Sequence, residues 1–288
     1  MVRRYAEVDP VPSVLEDHQV QSTNLVFLYY FEDAGLVNHT LYQPLQSAFG
    51  TDELKLPVIV WGNGACVAQG LKFRGFLGEL ASHGVLAIAT GPAAIDPETY
   101  QISNSSTVTT SQNPAALTQA INWVVANAGK GLYANVDSSR IAVWGQSCGG
   151  LETYTAASHD DRVGHIGIFN SGQLTANASL AVAGSITKPI FYFLGGPTDI
   201  AYENGMRDYS DLPPTTPAFV GNHDKGHSAA FDDLNAGIVG NAGTQLLQWL
   251  LRGNETGKAW FTEGGWKTTG FVNATYQNLD KIVTPSAI

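Results

Sequence analysis

The chain is poor in charge and nearly devoid of cysteine. Only 14% of its 288 residues are charged, against about a quarter in an ordinary soluble domain. Its 15 basic residues face 25 acidic ones, a formal net charge of −10. No basic stripe gathers, which argues against nucleic acid or an anionic membrane surface as a partner. No apolar run reaches the roughly 20 residues that a membrane-spanning helix needs. There is no H-E-x-x-H, no C-x-x-C and no G-x-x-x-x-G-K-[ST], so no metal or organic cofactor is implied. The first residues, Met1-Val2-Arg3-Arg4-Tyr5, hold no apolar signal core.

What is present points to one large α/β domain spanning 1–288. Hydrophobic residues make up 44% of the chain, enough for a full core at this length. Short apolar runs alternate with helix-compatible segments, as in a mostly parallel sheet flanked by helices. Predicted strands are 24–31, 56–61, 85–90, 141–144, 165–170, 189–194 and 218–221, the last of these closing the series. Predicted helices cover 70–83, a segment opening at Pro114, and 246–251. Residues 253–288 read as an irregular C-terminal wrap.

The most informative stretch is Ile141 to Gly150. An apolar strand runs into Gly145-Gln146-Ser147-Cys148-Gly149, and a helix-compatible segment comes next. G-x-S-x-G between a strand and a helix is a nucleophile elbow: the sharp turn lifts the serine hydroxyl clear of the sheet. A serine hydroxyl needs a base, usually a histidine held by a carboxylate. In an elbow-type sheet the chain order is Ser, acid, His. His18, His39 and His83 precede Ser147, and His159 and His165 come too soon after it. His223 and His227 remain, and His227 is favoured because Gly226 permits a tight loop and Ser228 can cap the next helix. The acid belongs after the strand at 189–194, which selects Asp199, with Glu203 and Asp224 as alternatives. The competing role for Asp199 is to cap the helix starting near Ile200.

A tetrahedral intermediate needs two N–H donors. Cys148, next after the nucleophile, supplies one. The loop Gly62-Asn63-Gly64-Ala65-Cys66 supplies the other through Asn63 or Gly64. The two cysteines, Cys66 and Cys148, fall in these two loops. They are either buried thiols or a disulfide tying the donors together, worth about 4–5 kcal/mol in the chain-entropy model and suited to an oxidising compartment. Trp61, Asn170 and Tyr202 are candidates to line the pocket, and the polar stretch 91–113 is a candidate wall. Five N-x-[ST] sequons, at Asn38, Asn104, Asn177, Asn254 and Asn273, join low charge and the cysteine placement in predicting a secreted protein whose signal peptide lies outside this sequence.

The elbow, the order Ser147, Asp199, His227 and the glycine-rich loop at Gly62 resemble the α/β-hydrolase superfamily. Leu80-Ala81-Ser82-His83-Gly84 is similar to the segment after the oxyanion loop in dienelactone-hydrolase-like proteins and in bacterial polyester hydrolases of the cutinase-like kind. The resemblance covers about residues 50–250. It implies the α/β-hydrolase fold and ester hydrolysis through an acyl-enzyme, and the whole looks like a fungal secreted member. Two departures stand out. Cys148 and Asn63 replace the Met and the aromatic residue usual in those polyester hydrolases, and Ser147 replaces the nucleophilic Cys of dienelactone hydrolases. Only about 18 residues separate Asn170 from Pro189, which leaves no room for a separate cap domain. The expectation is a serine esterase with an open site for ester substrates, bulky or polymeric ones included. The alternatives are a serine peptidase or amidase, or a non-catalytic binding protein on the same fold.

Overall fold

The computed structural model describes residues 3–4, 28–44, 54–93 and 110–288. In chain order the elements are β1 (Arg3–Arg4), β2 (Leu28–Glu32), β3 (His39–Pro44), β4 (Leu56–Gly62), α1 (Arg74–Ser82), β5 (Leu86–Thr90), α2 (Pro114–Asn127), β6 (Val136–Gln146), α3 (Cys148–Ala157), β7 (Val163–Phe169), α4 (Ala176–Val182), β8 (Ile190–Leu194), α5 (Tyr202–Asp211), β9 (Ala218–Asn222), α6 (Gly237–Leu250), α7 (Glu255–Thr262) and β10 (Asn273–Gln277). All the strands join one sheet, in the order β1-β2-β3-β5-β4-β6-β7-β8-β9-β10. The strands from β5 across to β9 are parallel. The β1–β3 edge and β10 are antiparallel.

The parallel strands are apolar on both faces because helices cover both. Alternate residues feed two cores. Val58, Val60, Ile141, Val143, Tyr192 and Leu194 face α2, α3 and α5. Ile59, Trp61, Trp144, Phe191, Phe193 and Phe219 face α1, α6 and α7. The second core is largely aromatic: Phe169 stacks on Phe193 at 4.7 Å between ring centroids, and Phe219 meets Phe261 edge-on at 5.0 Å. Helix boundaries obey local signals. Pro114 opens α2, where its missing N–H has no partner to lose. Gly84, at φ 85°, closes α1 with its N–H on the Ala81 carbonyl.

Several expectations need correction. The helix predicted over 70–83 begins only at Arg74, because 70–73 form a turn. The strand through 141–144 is far longer, starting at Val136. Of the strand predicted over 24–31, residues 24–27 lie outside the described residues. The C-terminal segment is not uniformly irregular. It carries α7, whose Trp260 and Phe261 enter the aromatic core, and β10, which pairs with β9. So β9 does not end the sheet. Periodicity missed β10 because this edge strand is mostly exposed and polar.

Parallel alignment of β4, β6, β7, β8 and β9 brings their carboxyl ends to one edge of the sheet. Asn63, Ser147, Asn170, Gly195 and His223 each come directly after one of these strands. Side chains scattered over 160 positions of sequence therefore converge at the edge where open parallel sheets bind ligands.

Candidate active site

Ser147 sits between β6 and α3 at φ 53°, ψ −121°, a region that non-glycine residues rarely occupy. Its backbone is held at both ends. The N–H donates to the Phe169 carbonyl at 3.0 Å, and the carbonyl accepts from Ser171 Oγ at 2.6 Å. The turn is possible only because backbones close in on one another here. A Cβ on Gly145 would strike the Gly149 carbonyl, and a Cβ on Gly149 would strike the Gly62 carbonyl.

Three of the expected residues meet in a line. His227 Nε2 lies 2.9 Å from Ser147 Oγ, and His227 Nδ1 lies 2.6 Å from Asp199 Oδ1. An ionised carboxylate only accepts, so Nδ1 carries the proton and Nε2 is left to accept from the serine hydroxyl. The Asp199 side chain is fully buried, whereas His227 keeps 24% of its side-chain surface exposed.

Asp199 is surrounded by donors. Oδ1 accepts from His227 and from the Ala201 N–H at 2.9 Å. Oδ2 accepts from Asn170 Nδ2 at 2.8 Å and from the Gly195 N–H at 3.0 Å. Burial pushes this carboxyl's pKa up, but the bonds from His227, Ala201, Asn170 and Gly195 together hold it below the usual value. The bond from the Ala201 N–H ties Asp199 to the entry of α5, but α5 starts at Tyr202 with Ala201 as its N-cap, so Asp199 is not the capping residue that the helix expected near Ile200 would need.

The histidine loop is pinned from three sides. Gln146, next to the serine, donates through Nε2 to the His227 carbonyl at 2.9 Å. Asn170 Nδ2 reaches the Gly226 carbonyl at 3.0 Å, and the Gly226 N–H donates to the Gly195 carbonyl at 2.8 Å. His223 is absent from this line. It is buried, its ring is edge-on to Phe271 at 5.8 Å, and burial lowers its pKa to about 4. Asp199, rather than Asp224 or Glu203, is the carboxylate that holds His227.

Cys66 and Cys148 form a disulfide, with Cα atoms 5.1 Å apart. It joins the turn at Gly64–Cys66 to the first residue of α3. The main-chain N–H of Cys148 is at a helix N-terminus, where N–H groups lack helical partners. The facing loop is unusual in holding Ala65 and Cys66 at φ 55° and 49°. Asn63 anchors it from within: its Nδ2 reaches the carbonyls of Val67 at 3.0 Å, Gln69 at 3.2 Å and Thr90 at 2.7 Å. With its side chain so engaged and buried, Asn63 has only its main-chain N–H to offer, as does Gly64.

Two residues expected to line a pocket do something else. Trp61 is fully buried, packed on Phe73, Phe76 and Phe169 at 5.0–5.6 Å. Asn170 is fully buried and crosslinks the acid loop to the histidine loop. Trp61 lies in β4 and Asn170 directly after β7, strand ends where residue type alone does not reveal whether a side chain is covered. Tyr202, half-buried at the start of α5, packs against the core on the α2–α3–α5 side. Sequence reasoning passed over Gln146, Ser171 and Gly195. The x position of the elbow was the available signal for Gln146, since a polar residue there has the histidine loop as its neighbour. Of the sequons, Asn38, Asn177, Asn254 and Asn273 are exposed. Asn104 and most of the 91–113 stretch lie outside the described residues.

Among the described residues, no His, Cys, Asp and Glu cluster could hold a metal ion, and no helix is long and apolar enough to cross a membrane. No protein-family profile matches the chain, and no curated protein is significantly similar to it.

Proposed function

We propose that this protein is a secreted serine hydrolase of the α/β-hydrolase type that cleaves carboxylic esters through an acyl-enzyme. The observation that carries the reading is the unbroken line from Ser147 Oγ through the His227 ring to the buried Asp199 carboxylate. In this scheme Ser147 Oγ attacks the acyl carbon as its proton passes to His227 Nε2. The Asp199 carboxylate stabilises the resulting imidazolium without taking the proton. The oxyanion is held by the Cys148 N–H and by that of Asn63 or Gly64. His227 then protonates the departing alkoxide, and water, activated by the same imidazole, releases the acid.

The short link between β7 and β8, with α4 its only α-helix, supports a site without a cap domain, accessible to bulky or polymeric esters. The disulfide and the four exposed sequons support an extracellular setting. A fluorophosphonate probe is expected to label the wild type and not Ser147→Ala. A chromogenic ester panel of varied acyl length, run beside an amide with the same leaving group, is expected to show ester turnover in clear excess. No labelling would leave a binding protein as the reading, and equal amide turnover would make the enzyme a peptidase or amidase.

A further inference from the structure

A cavity of about 430 Å³ lies at the far end of the sheet from Ser147. Its floor is where the parallel strands begin: Gly164 and His165 of β7, Pro189 before β8 and Pro217 before β9. The end of α6 and the tail segment with Ile282 and Val283 flank it, and it is half open to solvent. The volume falls in the range of small-molecule sites, about 300–1,000 Å³. Such sites are mainly apolar with a few polar groups, and this lining is aliphatic and proline-rich apart from Ser139, Arg140, Lys281 and His165.

His165 packs as a ring, but its packing leaves one polar atom unmatched. Only 2% of the residue is exposed, and its Nε2 has no hydrogen-bond partner among the described residues. Trp144 and Phe191 hold the ring at 5.8 and 6.3 Å. Burial lowers its pKa to about 3, so the ring is neutral, with one N–H and one lone pair. An unpaired buried polar group is costly, and a ligand that pairs with it recovers that free energy.

The rim is cationic in an acidic protein. Arg140 and Lys281 line the opening, and no carboxylate does. Arg140 Nη1 donates to the Leu251 carbonyl at 2.9 Å, and Nε faces Asp137 Oδ2 at 3.4 Å. A guanidinium has five N–H donors, so capacity remains. Strand register pairs His165 with Ala142, two residues beyond Arg140, a separation of about 7 Å along the strand. That is close to the span of a phenyl ring with a short acid side chain.

We infer that this cavity is a second ligand site, independent of the Ser147 chemistry, for a small aryl monocarboxylate bearing a distal hydroxyl. The carboxylate meets Arg140 and Lys281, the ring packs on Pro189, Pro217 and Ile282, and the hydroxyl pairs with His165.

The test is a titration of ¹⁵N-histidine-labelled protein with 3-(4-hydroxyphenyl)propanoate. His165 is assigned by comparison with His165→Gln. The expected result is a saturating shift of the His165 ring nitrogens with His227 unmoved. 3-Phenylpropanoate, without the hydroxyl, and 4-propylphenol, without the acid, should each bind about tenfold more weakly, the equivalent of one modest hydrogen bond or ion pair. Ile282→Trp, at a half-buried position of the lining, should abolish the shift, and Gly164→Phe, where an added Cβ meets no clash, serves if that variant does not fold. No His165 shift at about 10 mM probe, a shift at His227 alone, or equal affinity for all three probes would each overturn the proposal; about 10 mM already corresponds to under 3 kcal/mol of binding.

Discussion

Asn170 Nδ2 lies 2.8 Å from Asp199 Oδ2 and 3.0 Å from the Gly226 carbonyl. One buried amide thus fixes the Asp199 carboxylate and the backbone next to His227. Asn170 is in the left-handed region at φ 46°, which Asn tolerates better than most residues. Asn170→Ala should lower kcat about 10- to 100-fold with little change in KM, the loss of one charge-assisted bond. The sign of its stability effect is set by Asp199, whose pKa is held below its unfolded value. Stability from that carboxylate is present above the unfolded pKa and is lost as pH falls through the lower folded one. Denaturant unfolding should therefore show a penalty of about 1–3 kcal/mol at pH 7 that shrinks once Asp199 is protonated in strong acid. A penalty that does not vary with pH would mean that Asn170 acts only by packing.

Asp199→Asn leaves the shape of the site but replaces the acceptor facing Nδ1. The His227 ring can then take the wrong tautomer, and ester turnover should fall about ten-thousand-fold. Steady-state rates with circular dichroism as a folding control check this. A loss under about tenfold would remove Asp199 from the relay.

The Cys66–Cys148 bridge spans a sequence separation of 82. The Cys66→Ala/Cys148→Ala double variant should lose up to about 4–5 kcal/mol by chain entropy. The loop at Asn63 and the start of α3 should also drift apart, lowering kcat more than it raises KM. Thermal unfolding and kinetics on the same sample separate the two effects. A lower Tm with an unchanged rate would restrict the bridge to holding the fold.

His165 and His223 are buried with pKa values lowered to about 3 and about 4. The unfolded chain binds protons at these positions from its ordinary value of about 6.5 downward, and the native state does not. Stability is thus present above pH 6.5 and is lost as pH falls toward 4. His223 alone accounts for up to about 3 kcal/mol over that window. Urea unfolding between pH 7 and 4 should show the decline, and His223→Phe should roughly halve it, the remainder coming from His165. A pH-independent stability across that range would show that neither ring is neutral in the folded state.

The class of fold and the central residues could be read in advance for identifiable reasons. Strands such as Leu56–Gly62 and Ile190–Leu194 are unbroken apolar runs, which the parallel core of an α/β sheet requires. The elbow glycines are read from sequence because no other residue fits between β4, β6 and α3. Chain order then selected Asp199 and His227. Trp61 and Asn170 were misplaced because an aromatic or amide side chain at a strand end can point to solvent or to core. Only the packing of Phe73, Phe76 and Phe169 decides the first, and the position of the acid loop decides the second.

Sequence by itself thus determined what is local: the elbow turn, the stop of α1, the apolar strands and which serine, acid and histidine were the candidates. Tertiary structure alone decided what is joint: the 2.6 and 2.9 Å contacts of His227, the clamps from Gln146 and Asn170, the pairing of Cys66 with Cys148 and the solitary His165 beside a cavity. The physical reason is range. Backbone sterics and periodicity act within a few residues, whereas hydrogen bonds and burial join groups that the chain brings together only when the sheet closes.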